Sequence, residues 1–283
     1  MKKFFALVAA VAFTGALQAQ TLADYANAGD AAMAAQKYQD AIDNYVKAQE
    51  LDKDNTDYMT AFQLGNAYLE IGDQEKAGDA FKASLLKGNY DQGVITNMKN
   101  AYEAAGKPEL TKQAYIDIKT ANPEQKLAMD KKLYFIYNKE KDWDNTLACC
   151  LTILTDPDLD QDGQLKYYKA AAQLYLNTNQ TDSAAVYYDK ILAITPNDAD
   201  IHKALGYGLY NTIQRVTAQA QAKYNANKTN VEFANMQTAT KRATLNYGPK
   251  AIEHLRIANE TLHDKQISDI IARLQNNIAA YKK

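Results

Sequence analysis

Apolar and small residues recur at spacings of three and four along most of this chain, in short segments separated by polar breaks. The stretch 58–91 shows this pattern twice, with Gly65 among larger apolar residues in its first segment and with Ala77 and Phe81 on one face of its second. These spacings match the 3.6-residue period of an α-helix. The Gly-Asp step at 72–73 supplies a helix stop and the next helix start. The stretch therefore predicts two short antiparallel helices.

The same two-helix pattern recurs in register along the chain. Gly29 and Gly65 occupy matching positions of consecutive first helices, and Ala41 and Ala77 occupy matching positions of the second helices. A single helix pair cannot bury its apolar face alone, so neighbouring pairs are expected to stack. The predicted units are about 22–55, 58–91, 92–125, 127–160 and 165–198, followed by an interrupted sixth unit at 199–263.

The order of small and large residues in these units resembles the tetratricopeptide repeat (TPR) family. The first helix of the second unit carries Leu64 and Gly65, with Tyr68 three residues later. Its second helix carries Ala77, with Phe81 four residues later. This is the leucine-glycine-tyrosine and then alanine-aromatic order of a TPR unit. The resemblance implies an all-α fold, a right-handed α-α superhelical TPR solenoid with a C-terminal extended helical hairpin and a capping helix.

The sixth unit is interrupted by an insertion of about one repeat length. Its Gln- and Ala-rich sequence keeps a helical period on both sides of a polar break at 225–230. We therefore expect both helices of the unit to extend into a hairpin, 215–247, with Pro249 kinking the return arm or starting its second part. The hairpin is either a tolerated, mobile insertion or a functional element, which would be a second docking surface or an arm folded across the solenoid groove. Apolar residues on one face of 264–283 predict a capping helix.

Residues 1–19 have the organisation of a secretory signal peptide. Lys2 and Lys3 precede an apolar run that ends before a plausible cleavage site at Ala19. The run is about thirteen residues long, shorter than the roughly twenty that a membrane-spanning helix needs. The sequence predicts an exported protein, periplasmic or associated with the outer membrane of a Gram-negative bacterium. A retained N-terminal anchor is the alternative.

Charge and composition narrow the classes of partner. The formal net charge is −2 over 283 residues, which gives no reason to expect nucleic acid or an anionic membrane surface. No nucleophile, base and acid can be assembled into a catalytic set. We therefore expect a non-enzymatic scaffold or adaptor that binds a protein or peptide partner and needs no cofactor. The oligomeric state stays open.

The TPR resemblance implies that the partner lies in a concave groove lined by the first helices of the units. TPR proteins that bind chaperone C-termini hold the carboxylate with a set of lysine and asparagine side chains. Phe62 stands where the first lysine of that set should be, so chaperone-tail binding is not predicted. Carried over position by position, the predicted partner-binding residues are Phe62, Asn66, Leu69, Asn100, Glu103, Lys131, Phe135, Asn138, Lys169, Gln173, Tyr207 and Tyr210.

One turn resembles the first half of a calcium loop. Asp158, Asp160 and Asp162 alternate along the chain and precede Gly163, as carboxylates do where they converge on calcium before a sharp turn. The position of the bidentate glutamate is occupied by Lys169, whose charge would repel the ion. A calcium- or envelope-polymer-binding module using this turn is the alternative function. The structural alternative is a solvated turn with Asp162 near the next helix start.

Three further groups have both a chemical and a structural interpretation. A disulfide between adjacent Cys149 and Cys150 is unfavourable because neighbouring residues of a helix point about 100° apart. Both are predicted to be buried, unreactive thiols, with a redox or intermolecular role as the alternative. The three histidines lack metal-ligand spacing and are predicted to be surface or half-buried residues. Ser183 lies in an Asp-Ser-Ala sequence that resembles a periplasmic O-glycosylation acceptor. The alternative is that Asp182 favours a helix start.

Overall fold

The computed structural model describes residues 20–282, and every regular element in that range is helical. The predicted signal peptide, 1–19, lies outside the described residues. The chain divides into two compact units, one through Pro123 and one from Glu124. The first unit contains α1 (Leu22–Ala34), α2 (Tyr38–Leu51), α3 (Tyr58–Glu70), α4 (Gln74–Leu86), α5 (Gln92–Ala104) and α6 (Pro108–Ala121). The predicted all-α class is confirmed.

Short polar side chains define where the helices of the first unit begin. The Asp57 and Asp73 carboxylates accept hydrogen bonds from backbone N–H groups in the first turns of α3 and α4. Thr21 and Asp24 form a reciprocal capping box at the start of α1. Such caps satisfy backbone donors that have no partner within the helix. Gly72 ends the α3 turn with φ +80°, a conformation that favours glycine.

Each of the first two helix pairs is built on a glycine that packs against an aromatic ring. A Cβ atom on Gly65 would lie 2.6 Å from a ring atom of Phe81, and a Cβ atom on Gly29 would lie 2.4 Å from a ring atom of Tyr45. Both rings are fully buried. The hydroxyl of Tyr45 donates to the Asp30 carboxylate at 2.7 Å. The absence of a side chain at Gly65 thus allows the Phe81 ring to pack close to the α3 backbone.

A short 3₁₀ turn, Pro123–Gln125, lies at the chain boundary between the units, and residues between Leu165 and Ile278 of the second unit form one core. The helices of the second unit are α7 (Lys126–Glu140), α8 (Trp143–Ile153), α9 (Gln161–Asn177), α10 (Thr181–Ile194), α11 (Ala199–Ala226), α12 (Asn230–Leu262) and α13 (Lys265–Lys282). Helix α9 starts earlier than the predicted unit boundary at 165. Asp160 caps it, since its carboxylate accepts from the Gly163 N–H at 2.8 Å.

The last two long helices form the predicted hairpin. The chain turns between α11 and α12 at 227–229, and the rings of Tyr224 and Phe233 pack 5.4 Å apart beside that turn. Val231 and Phe233 remain 68% and 43% exposed. Helix α12 continues through Pro249, so the alternative that a second helix begins there is wrong. The side chains of the outer arms are mostly exposed.

Helix α13 covers the end of the core of the second unit. Its Ile267, Ile270 and Leu274 side chains are buried against α12 and neighbouring residues, as expected for a capping helix. Ile278 of α13 also approaches Gly248, where an added Cβ would lie 2.9 Å from its side chain. Within residues 20–282, no helix combines the length and the apolar character needed to cross a membrane.

Candidate functional site

A cavity of about 500 Å³ lies between the first helices of the two last helix pairs, α9 and α11. Gln173, Leu176 and Asn177 line it from α9, and Asn179 and Thr181 line it from the start of α10. Its α11 wall is formed by Ala204, Tyr207, Gly208, Asn211, Thr212 and Arg215. Amide and hydroxyl groups thus dominate a surface that also has apolar parts. Such a mixture fits a peptide, because amides pair with backbone groups while apolar parts hold side chains.

Helices α9 and α11 approach closely beside the cavity at one glycine. A Cβ atom on Gly208 would lie 3.2 Å from the Leu176 side chain, which is tighter than ordinary contact. Gln173 donates to Asn177 across one turn of α9 at 3.0 Å, and this hydrogen bond orients the two amides on the α9 wall.

Two buried threonines lie within hydrogen-bonding distance of each other at the cavity wall. The Thr212 hydroxyl lies 3.1 Å from the Gly208 carbonyl, and the Thr181 and Thr212 hydroxyl oxygens are 2.5 Å apart. A hydroxyl has one hydrogen and two acceptor lone pairs, so either threonine can be the donor of the bond between them. This bond links the start of α10 to α11 beside the cavity.

Arg215 lies where this cavity meets a second one of about 250 Å³ at the base of the hairpin. The second cavity is lined by Asp182, Ser183 and Tyr247, together with four residues of the first. The Tyr247 hydroxyl donates to the Asp182 carboxylate at 3.3 Å. Burial, together with that carboxylate, raises the pKa of Tyr247. The Tyr247 hydroxyl is thus held as a neutral donor.

The predicted groove residues of the first unit have mainly local contacts. Phe62 packs against Phe81 with ring centroids 5.8 Å apart, and the Asn66 amide donates to Gln63 at 3.1 Å. Leu69 is partly buried and Asn100 is exposed. Glu103 forms an ion pair with Lys99 at 3.4 Å, one helical turn away. Their binding role stays a prediction.

The predicted residues on α7 lie outside the cavity between α9 and α11. Lys131 is paired with Asp156 at 2.5 Å. Phe135 is 59% exposed and packs edge-on against Tyr134 at 5.4 Å. Asn138 is exposed. A partner-binding role for these three side chains also stays a prediction.

The predicted residues on α9 and α11 divide between the cavity and other contacts. Gln173 and Tyr207 line the cavity. Lys169 instead pairs with Asp198 at 3.8 Å, and Tyr210 accepts a hydrogen bond from Arg273 of α13 at 3.1 Å. Sequence reasoning missed Asn177, Asn211, Arg215 and the two threonines. The signal was present, because Asn177 follows Gln173 by four residues and Asn211 and Arg215 follow Tyr207 by four and eight.

The turn considered for calcium serves as a helix start. Asp160 caps α9, and Asp162 lies in the first turn of that helix. The Asp158 N–H donates to Asp156 at 3.1 Å. Among residues 20–282, acidic, histidine and cysteine side chains form no group of three or more that could hold a metal ion.

The cysteine pair is buried within the second unit. The Cys149 thiol lies 3.6 Å from the Asp130 carboxylate, and the Cys150 thiol lies 3.4 Å from the Tyr167 carbonyl. Burial raises the pKa of Cys150 to about 12, with the neighbouring Cys149 adding to the effect. A thiol with such a pKa has little thiolate at neutral pH and is a poor nucleophile.

Two histidines form a pair that the sequence did not indicate. The Nδ1 atoms of His202 and His254 are 2.9 Å apart, and His202 Nε2 lies 3.0 Å from the Pro196 carbonyl. His202 must use its Nε2 hydrogen on that carbonyl, so its Nδ1 accepts from His254. His202 is only 5% exposed, so the prediction of a surface or half-buried residue is wrong there. Burial, and then His202, lower the pKa of His254.

The fold defines the class of protein first: an all-α protein of stacked antiparallel helix pairs, with a glycine of the first helix against an aromatic ring of the second in the first two pairs. Residues 165–198, in the fifth pair, match the model of the tetratricopeptide repeat family. The chain therefore contains a tetratricopeptide repeat at this pair. No functionally curated protein matches its sequence.

Several solved structures are similar to this chain at low sequence identity. A TPR repeats protein from Bacteroides fragilis is 18% identical with a TM-score of 0.32, over 91% of this chain and 99% of that one. A tetratricopeptide repeat protein from Parabacteroides merdae is 13% identical with a TM-score of 0.35, over 91% and 100%. YrrB, described as a TPR protein with an unusual peptide-binding site, is 18% identical with a TM-score of 0.31, over 64% and 90%.

Proposed function

We propose that this protein is a non-enzymatic scaffold that binds an extended segment of a protein partner between α9 and α11. The observation that carries the proposal is the cavity of about 500 Å³ lined by Gln173, Asn177, Asn211 and Thr181. These side chains offer both donors and acceptors. An extended peptide exposes backbone N–H and C=O groups on both edges, so it can use both kinds.

A binding role fits the chemistry of the nucleophilic and basic side chains better than a catalytic one. The Cys150 thiol is buried with a raised pKa, and His202 and His254 use their facing nitrogens on each other. A catalytic base must reach the proton that it abstracts. These groups lie away from the cavity walls, where the available groups are amides, hydroxyls and one guanidinium.

The proposed location is outside the cytoplasm, in the periplasm or at the outer membrane of a Gram-negative bacterium. The support is the order of Lys2, Lys3 and the following apolar run at the start of the sequence. Mass spectrometry of the protein purified from an envelope fraction tests this proposal. Peptides that begin at or near Gln20 are expected. Recovery of peptides spanning Lys2 to Leu17 from the mature protein would contradict cleavage.

Photo-crosslinking in intact cells tests binding at the cavity. A benzoylphenylalanine introduced in place of Gln173 would lie on the α9 wall, and a discrete protein should become crosslinked there. Val186 of α10, which is 52% exposed and lines none of the cavities described above, supplies the matched control position. The same crosslink should be absent from Val186.

A blocking substitution makes the experiment specific. Asn211 is exposed and lies on the opposite cavity wall, so Asn211→Trp should fill the cavity without disturbing the core. The Gln173 crosslink should disappear in this variant, while circular dichroism should show unchanged helix content. An identical crosslink in the blocked and unblocked proteins would refute binding in the cavity.

A further inference from the structure

Arg215 is the basic side chain of α9 and α11 that lines the larger cavity, and within residues 20–282 it has no ion-pair partner. On these helices, Lys169 pairs with Asp198 at 3.8 Å and Lys203 pairs with Asp264 at 3.3 Å. Arg215 is partly buried, yet within residues 20–282 it makes no salt bridge and no hydrogen bond. A guanidinium has five N–H donors in a fixed planar fork. Its bonding capacity is unused at the cavity wall.

The larger cavity carries a single kind of charge. Among residues 20–282, Arg215 is the only charged residue that lines it, and the other polar lining groups are neutral amides and hydroxyls. The acidic residue Asp182 lines the smaller cavity but not this one. A ligand carboxylate in this cavity would therefore face one cation and several neutral donors. Hydrogen bonds between ionised partners are roughly twice as strong as neutral ones.

The two adjoining cavities indicate where such a carboxylate belongs on a ligand. Asn179, Thr181, Thr212 and Arg215 line both the larger cavity and the smaller one. A chain lying in the larger cavity can therefore continue past Arg215 rather than end there. Asp182 lines only the smaller cavity, and its charge disfavours a second carboxylate on that side. The arrangement favours an acidic side chain within a continuing segment over a chain terminus.

We propose that Arg215 binds an aspartate or glutamate side chain of an extended partner segment, held in the larger cavity at the base of the hairpin. This inference rests on the proposed function and adds the chemistry of the partner. Arg215 supplies the charge-assisted contact, and Asn177 and Asn211 supply amide groups on the facing walls. A phosphorylated side chain fits less well, since one guanidinium only partly balances a charge of about −1.5 to −2.

Selection from a phage-displayed library of random peptides provides the test. Peptides fused at both ends exclude contributions from a free terminus. Sequences selected on the whole protein should share an aspartate or glutamate at one internal position. A synthetic peptide of the best sequence, with capped ends, then serves as the probe, beside versions in which the acidic residue is replaced by its amide or by phosphoserine.

The variants Arg215→Gln and Arg256→Gln make a matched pair. Both remove one positive charge from the second unit, but Arg256 is exposed and lies outside both cavities. Arg215→Gln should weaken binding of the acidic peptide by about 10- to 100-fold, and Arg256→Gln by less than about threefold. The amide version of the peptide should bind wild type and Arg215→Gln about equally.

The outcomes separate this inference from the proposed function. If Asn211→Trp abolishes peptide binding but Arg215→Gln leaves it unchanged, the proposal of an acidic side chain at Arg215 is overturned. The proposal of peptide binding in the cavity is then retained. Tighter binding of the phosphoserine version than of the acidic peptide would also overturn the proposal of an acidic side chain. If no selected peptide loses binding when Asn211→Trp fills the larger cavity, both the acidic partner segment and the proposed peptide binding are overturned. Arg215→Gln and the amide version of the peptide should each weaken binding. If the two changes together weaken it no more than either one alone, the result supports the inference.

Discussion

Gly65→Ala tests whether the contact between a glycine and an aromatic ring sets the helix spacing in the second repeat. The new Cβ would lie 2.6 Å from Cε1 of Phe81, whereas carbon atoms in good contact are about 3.5–4.0 Å apart. The ring would have to retreat by about 1 Å, yet it is fully buried and also packs against Phe62. Overpacking of this kind costs about 1–3 kcal/mol. Alanine recovers about 1 kcal/mol of helix propensity.

The net expectation is a protein less stable by about 1 kcal/mol, within a range of about 0–2. Urea unfolding followed by far-UV circular dichroism measures the difference. Phe81→Leu should relieve the clash, so the double variant should show a favourable coupling of about 0.5–3 kcal/mol. Ala148→Gly lies at an exposed position within α8. It measures the free-energy difference between alanine and glycine in a helix of this protein without a packing contribution. A Gly65→Ala protein stabilised by the full propensity difference would refute the packing argument.

Three other predictions concern buried polar groups. Because burial raises the pKa of Cys150 to about 12, a disulfide reagent at neutral pH should modify its thiol more than about tenfold faster after unfolding in urea. The pKa of His254 is lower in the folded protein than in the unfolded chain, so as the pH falls the unfolded chain is protonated at His254 before the folded protein is. Stability should fall as pH drops below about 6.5, and His254→Gln should reduce that loss in urea titrations. Burial raises the pKa of Asp52, but hydrogen bonds led by that from Lys87 bring it below the usual value. Lys87→Met should cost about 1–3 kcal/mol at neutral pH and progressively less below about pH 4, where the Asp52 carboxylate becomes protonated.

The repeated helices could be predicted because each depends on local sequence. Caps such as Asp73, glycine turns such as Gly72 and the period of the apolar residues act within a few residues. The hairpin was predictable for a related reason, since its helical period continues beyond the length of a repeat. The sequence predicts a later start for α9 because the alternating carboxylates at 158–162 resemble metal ligands, whereas Asp160 caps the helix.

The candidate site was only partly predictable because it depends on how separate helices meet. Gln173 and Tyr207 followed from the resemblance, but Arg215 belongs to the inserted arm, for which the repeat pattern gives no position. His202 and His254 are far apart in sequence and face each other through the pairing of α11 with α12. The register of two long helices depends on many side chains together, so no short sequence motif predicts which residues of α11 and α12 face each other.

The hairpin shares a continuous helix with the cavity wall, so a change in the direction of that helix at the cavity is amplified at the hairpin tip. Helix α11 carries Gly208 and Thr212 at the cavity and runs without a break to Ala226. From Arg215 to that end the arm is about 17 Å long at 1.5 Å per residue, so a rotation of 10° at its base displaces the tip by about 3 Å. A rotation of α11 about the cavity wall would therefore move Val231 and the neighbouring tip residues farther than the wall residues themselves.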